Sequence, residues 1–155
     1  MCGISGLHCK KEQGSRAAQT VLEAMSLQLI HRGPDGAGLK WFEDQDFGLA
    51  HRRLSIIDLS EAAAQPMHSN ERYWLSFNGE IYNYLELKEE LLALGAIFKS
   101  KSDAEVLLQA YIYWGADCLQ RFNGMWAFAI YDKERSIIFM SRDRLGVKPF
   151  YYYLE

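Results

Sequence analysis

The spacing of apolar and polar positions changes several times along the chain, and each change marks an element. Residues 2–9 are small and apolar and predict a short buried strand. From 16 to 30, Ala17, Val21, Leu22, Met25, Leu29 and Ile30 recur at helical spacing, with Ser15 in place as an N-cap. Glycine and proline then open a loop, His31-Arg32-Gly33-Pro34-Asp35-Gly36-Ala37-Gly38. Strands are predicted at 38–43 and 47–52 around the acidic turn Glu43-Asp44-Gln45-Asp46, and residues 60–71 predict an irregular surface loop.

The second half is patterned more strongly. Residues 73–78 read as a strand ending at Asn78-Gly79, a pair that commonly turns a hairpin. Asn83, with Glu86 three positions on, marks a helix start, and Gly95 stops that helix. Ser102 and Glu105 repeat the signature before a second helix that ends near Gly115. Apolar strands at 125–131 and 136–142 flank Asp132-Lys133-Glu134-Arg135, as in a hairpin. A polar loop over Arg142–Pro149 leads to Phe150-Tyr151-Tyr152-Tyr153, the start of another strand. Strands outnumber helices and many are joined by short turns. This predicts an α+β domain with mostly antiparallel sheet.

Composition narrows the class. A chain of 155 residues, 49% hydrophobic and 24% charged, suits one domain with a substantial core. A net charge of −3 without a basic stripe argues against nucleic acid. No apolar run approaches the ~20 residues of a membrane span, and no signal peptide pattern opens the chain, so the cytoplasm is the expected location. Cys2, Cys9 and Cys118 form no disulfide framework, and the four histidines show no ligand spacing, so no metal is expected. Gly36-Ala37-Gly38 is not a dinucleotide fingerprint, because Trp41 stands where the third glycine would be.

The candidate chemistry begins at Cys2. Removal of Met1 would give one residue both a thiol and a free α-amine. The thiolate is the attacking form of cysteine, and an α-amine titrating near about 8 can serve as its base. Taken alone, a second-position cysteine is more often a small apolar residue than a nucleophile. Taken alone, Arg53 and Asp103 read more readily as surface charges, and Asn78-Gly79 as a turn.

Seven strings in order alter that weighing: Met-Cys-Gly-Ile, His-Arg-Gly-Pro-Asp, Arg-Leu-Ser-Ile-Ile-Asp, Phe-Asn-Gly-Glu-Ile-Tyr-Asn, Ser-Asp-Ala-Glu-Val, Gly-Met-Trp-Ala-Phe-Ala and Arg-Asp-Arg-Leu-Gly-Val-Lys-Pro. With them the chain resembles the N-terminal glutaminase domain of class II glutamine amidotransferases. Within that class it is most similar to glutamine-hydrolysing asparagine synthetases.

The resemblance implies the N-terminal-nucleophile fold, two antiparallel β-sheets sandwiched between α-helices. It implies that Cys2 attacks the glutamine side-chain amide, and that Asn78 and Gly79 form the oxyanion hole, glycine there allowing close approach of the backbone. Arg53 is then expected to hold the substrate carboxylate, and Asp103 with Glu80 its ammonium. Leu54, Ser55, Ile56 and Ile57 line the pocket. Arg32 and Asp35 are expected to brace the pocket loop. Arg52, Asp58 and Asn83 are read as structural, and Cys9 and Cys118 as inert core thiols.

The implied substrate is glutamine. The implied partner is a C-terminal ATP-pyrophosphatase synthetase domain, which no motif in residues 1–155 supplies. ATP and Mg2+ are expected only there, this stretch needs no cofactor, and homo-oligomerisation stays open. On this reading residues 1–155 are one glutamine amidotransferase domain, cut before its last strands. Two alternatives remain: a related amidotransferase acting on another acceptor, such as a surface sugar or a secondary metabolite, and a non-catalytic fragment with an open sheet edge.

Overall fold

The computed structural model describes residues 1–9 and 15–154, with the side chain of Ser15 left aside. Seven strands form two antiparallel sheets among these residues. In the first, β1 (Gly3–His8) and β2 (Gly36–Phe42) flank β3 (Phe47–Arg53). In the second, the order is β4 (Met67–Ser69), β5 (Tyr73–Ile81), β6 (Gly124–Asp132) and β7 (Ile137–Arg142). Helix α1 (Ser15–Gln28) packs on β1 and β3. Helices α2 (Tyr84–Ala93) and α3 (Asp103–Trp114) cover the far side of the second sheet, and α4 (Cys118–Arg121) follows α3. Contacts of β1 and β3 with β5 stack the two sheets, giving four layers: helix, sheet, sheet, helices.

The two-residue period of the strands explains the stacking. In β3, Phe47, Leu49, His51 and Arg53 alternate with Gly48, Ala50 and Arg52. The first set looks toward the second sheet, and the other set toward α1. Phe42, Phe47, Leu49, Trp74, Ala129 and Tyr131 fill one end of the gap between the sheets. Leu75, Phe77 and Ile81 of β5 and Trp126, Phe128 and Ile130 of β6 point the other way and pack against Leu87, Leu91, Leu107 and Leu108 of the helices.

Helix α1 corrects the predicted face. Ala18, Leu22 and Ser26 are buried, whereas Val21, Met25 and Ile30 of the expected stripe are exposed. The helix lies close to the sheet because glycines lie beneath it. A Cβ on Gly3 would come within 2.8 Å of Leu29, and one on Gly48 within 2.6 Å of Leu22. Small residues therefore take the seam, and Ser26 accepts from Arg52 Nε there through both its carbonyl and its hydroxyl. Ser15 is the first helical residue and not a residue preceding the helix.

Other boundaries also moved. Segment 60–71 contains β4, which pairs Met67, His68 and Ser69 with Leu75, Trp74 and Tyr73. Asn78-Gly79 turns nothing, because β5 continues through both to Ile81. Asn83 stands at the start of α2 without capping it: its side chain donates to Arg121 O and accepts from Asn123 N. Ser102 does cap α3, accepting from Glu105 N at 3.3 Å. Residues 150–154 are irregular and form no strand. Cys118 is a core thiol, pushed up to about 12 by burial. Cys9 is only half-buried, at the end of β1.

Candidate active site

Where the aromatic filling between the sheets gives out, a cleft of about 220 Å³ opens. Strand register carries the nucleophile candidate to it. Gly3 pairs with Arg52, so Cys2 lies one step further, beside Arg53 on the face that looks toward the second sheet. Cys2 Sγ lies against the Leu54 backbone, accepting from its N–H at 3.4 Å and donating to its carbonyl at 3.7 Å. Arg32 Nε donates to the Cys2 carbonyl at 3.1 Å and fixes the backbone behind it.

The opposite wall is β5. Asn78 is 5% exposed and shares the gap-facing side of the strand with Ser76 and Trp74. Gly79 is placed by hydrogen-bond parity. Its partner across the ladder, Trp126, commits its own N–H and C=O to Asp143 on the far side. Gly79 is therefore a non-exchanging pair, and its N–H points to the outer edge of β5. Phe77 N and Ile81 N point the same way, and each is taken by a side chain: Gln65 Oε1 at 2.7 Å and Asp103 Oδ2 at 3.0 Å. Strand β4 has already ended, so the N–H of Gly79 faces the cleft between these two anchors. The structure gives glycine at 79 a packing reason as well. A Cβ there would overlap the Met125 carbonyl and approach Phe77 and Trp126, so close strand packing already excludes a side chain.

Charged groups sit at the rim. Arg53 donates from Nη1 to Ser60 O at 3.0 Å and from Nη2 to the Asp58 carbonyl, and among the described residues it forms no ion pair. Asp58 organises the loop holding those carbonyls. Its Oδ1 accepts from Ser60 N and Oγ, and its Oδ2 from Lys101 N, and these bonds hold its pKa down at about 2. Asp35 accepts from Ser55 N at 2.8 Å. Asp103, in the first turn of α3, is 7% exposed; burial raises its pKa to about 6 against the lowering effect of the Ile81 N–H, and the Glu80 charge adds to the rise.

The structure thus brings Cys2, Arg53, Leu54, Ile56, Ile57, Asn78, Gly79, Glu80 and Asp103 into one cleft. Ser55 is outside its lining and serves the loop through Asp35. Asp58, read as structural, does line the cleft. Gln65 and Lys148 line it too and were missed. Gln65 falls in the segment read as plain loop. Lys148 stands within the last matched string, next to Pro149, where the pattern alone does not mark it as a site residue. Met1 occupies part of the cleft, where its Sδ accepts from the buried Lys148 Nζ at 2.9 Å. Among the described residues no cluster of His, Cys, Asp and Glu could hold a metal ion.

A thiol facing an amide N–H from a strand edge, with a guanidinium and a buried carboxylate nearby, suits attack on the carbonyl of a zwitterionic amino acid. Comparison with known proteins agrees. The model of the glutamine amidotransferase domain matches residues 1–155. A putative glutamine-hydrolysing asparagine synthetase 2 of Methanocaldococcus jannaschii is 43% identical over all of this chain, and the chain covers 32% of it. Asparagine synthetase 1 of Bacillus subtilis is 41% identical over 98% of the chain, which covers 24% of it. An amidase, chry2, of Gibberella zeae is 38% identical over 98%. Among solved structures, the glutamine phosphoribosylpyrophosphate amidotransferase of B. subtilis shares the fold, with a TM-score of 0.68 at 24% identity over 96% of the chain. The chain belongs to the glutamine amidotransferase domain family. It spans about a quarter to a third of the length of these curated relatives.

Proposed function

We propose that this domain hydrolyses glutamine to glutamate and ammonia, with Cys2 as nucleophile once Met1 is removed. The α-amine of Cys2 takes the thiol proton as sulfur bonds to the side-chain carbonyl carbon. The carbonyl oxygen becomes an oxyanion, received by the Asn78 amide and the Gly79 N–H. The ammonium returns the proton to the leaving nitrogen, the C–N bond breaks, and ammonia departs from a glutamyl thioester. Water adds to the thioester through the same oxyanion hole, releasing glutamate and restoring the thiol.

Arg53 holds the α-carboxylate by its planar fork, and Asp103 with Glu80 holds the α-ammonium. The backbone of 54–57 forms the floor. The observation that carries the reading is the N–H of Gly79, left without a neighbouring strand and directed into the cleft that Cys2 lines. Removing one oxyanion donor typically costs roughly 10²–10³ in rate.

The ammonia is consumed by ATP-dependent amidation of aspartate in a C-terminal synthetase domain, where ATP and Mg2+ bind; the names of the M. jannaschii and B. subtilis relatives support that acceptor. The G. zeae relative's name, an amidase, favours a second reading in which the same glutaminase serves another acceptor. The cytoplasm is the proposed location; no helix is long and apolar enough to cross a membrane.

The test is intact mass after exposure to a glutamine-like chloroketone. One adduct, mapped to Cys2 in protein lacking Met1, supports the reading, as does loss of glutamine hydrolysis in Cys2→Ala without a fall in melting temperature. An adduct elsewhere, or turnover remaining in Cys2→Ala, overturns it.

A further inference from the structure

We propose that Gln65 and His51 are positioning residues that clamp the Phe77 peptide and so hold the Asn78–Gly79 oxyanion donors in register. The inference rests on the glutaminase reading of the cleft and extends it to two residues outside the expected set.

Over 77–81 the outer edge of β5 has no neighbouring strand, since β4 pairs only with Tyr73, Trp74 and Leu75. An unpaired strand edge normally exchanges its bonds with water and moves. Here side chains replace the missing strand. The amide oxygen of Gln65 accepts from Phe77 N at 2.7 Å. On the same residue, His51 Nε2–H donates to the Phe77 carbonyl at 3.1 Å. Phe77 is two residues before Gly79 on the same edge, so holding both of its polar groups restrains the stretch of strand from which the Gly79 N–H projects.

One arm belongs to the first sheet, which also carries Cys2, and the other packs against it from the lead-in to β4. His51 is a β3 residue, 1% exposed, and pairs with Ile4 of β1. Gln65 lies against β2: a Cβ on Gly38 would overlap the Gln65 carbonyl and sit 3.1 Å from Pro66. Nucleophile and oxyanion donors belong to different sheets; the His51 bond ties one sheet to the other beside the reacting atoms, and the Gln65 bond fixes the edge of β5 to the residues leading into β4. Burial holds the His51 pKa down at about 4, so the ring donates as a neutral imidazole wherever an enzyme of this kind operates. Its Nδ1 is buried without a partner among the described residues, which leaves the Phe77 bond as the ring's polar anchor.

Gln65→Met preserves side-chain length and removes the acceptor; Gln65→Glu keeps the acceptor. In the full chain, kcat for glutamine hydrolysis should fall at least about tenfold in Gln65→Met, part of the loss of a whole oxyanion donor, with KM within about threefold. Amide exchange at Phe77 should speed up in Gln65→Met relative to the other β5 amides and stay at the wild-type rate in Gln65→Glu. A loss confined to KM, or an unchanged kcat, overturns the proposal. If the wild-type chain does not hydrolyse glutamine, the glutaminase reading falls, and the exchange experiment still decides the clamp: unchanged Phe77 exchange in a folded Gln65→Met refutes it. Should Gln65→Met not fold, Gly38→Ala, which displaces the Gln65 backbone, provides the same kcat and exchange comparison.

Discussion

Replacing Asp103 by asparagine should make the protein more stable and a poorer binder of glutamine. Asp103 is buried at the start of α3, and its carboxyl pKa rises from 3.8 to about 6, chiefly through burial. At about 1.4 kcal/mol per unit, keeping this group ionised at neutral pH costs the folded state about 3 kcal/mol. The sign follows from proton uptake. Between the two pKa values the folded state binds more protons than the unfolded chain, so stability falls as pH rises from about 4 to about 6 and stays at its lower level above that.

Asparagine keeps an oxygen for the Ile81 N–H and carries no charge. At about pH 7.5 Asp103→Asn should gain roughly 1–3 kcal/mol, a rise in Tm of several degrees for a domain of this size. Near pH 5 the wild-type carboxyl is already mostly protonated, and the advantage should shrink to about half. Thermal and urea unfolding of both proteins at the two pH values measures this, and glutamine KM should rise in the same variant. Equal stability at the higher pH, or an advantage that does not shrink on acidification, refutes the argument.

Arg53→Ala should raise glutamine KM roughly 10–100-fold, the range for losing hydrogen bonds to a charged group, with little change in Tm; an unchanged KM would restrict Arg53 to its bonds with Asp58 and Ser60. Asp143→Ala should cost at least about 3 kcal/mol, read by urea unfolding, since the carboxylate accepts from Trp126, Leu145, Val147 and Lys148 N–H groups and each buried orphan costs about 1–3 kcal/mol. A variant as stable as wild type would show that water satisfies those amides.

The fold was most legible where local signals and tertiary demands coincide. The β6–β7 hairpin has apolar strands and a turn that returns to Asp132, and Ser102 caps α3 as its position suggests. Legibility failed where an element answers to something distant. Helix α1 is rotated because glycines at 3 and 48, on two other strands, open a seam that intrahelical periodicity does not report. Asn78-Gly79 looks like a turn because turn statistics do not register β6 pressing on Gly79. The acid, base and guanidinium candidates were recognisable as strings. Gln65 was not, since its role depends on where β4 stops, and no pattern within 60–71 encodes that.

Lys148 and Met1 are 147 positions apart, and that separation gives the molecule a timetable. On the ribosome the first residues emerge long before β3, the strand that pairs with β1, and longer still before Lys148. Throughout that interval the leading methionine is a loose end, open to a trimming peptidase. Once Lys148 arrives and the loop wound on Asp143 closes, the same methionine is held against the cleft. In a chain that keeps Met1, the two ends of the fold therefore meet at the cleft that Cys2 lines.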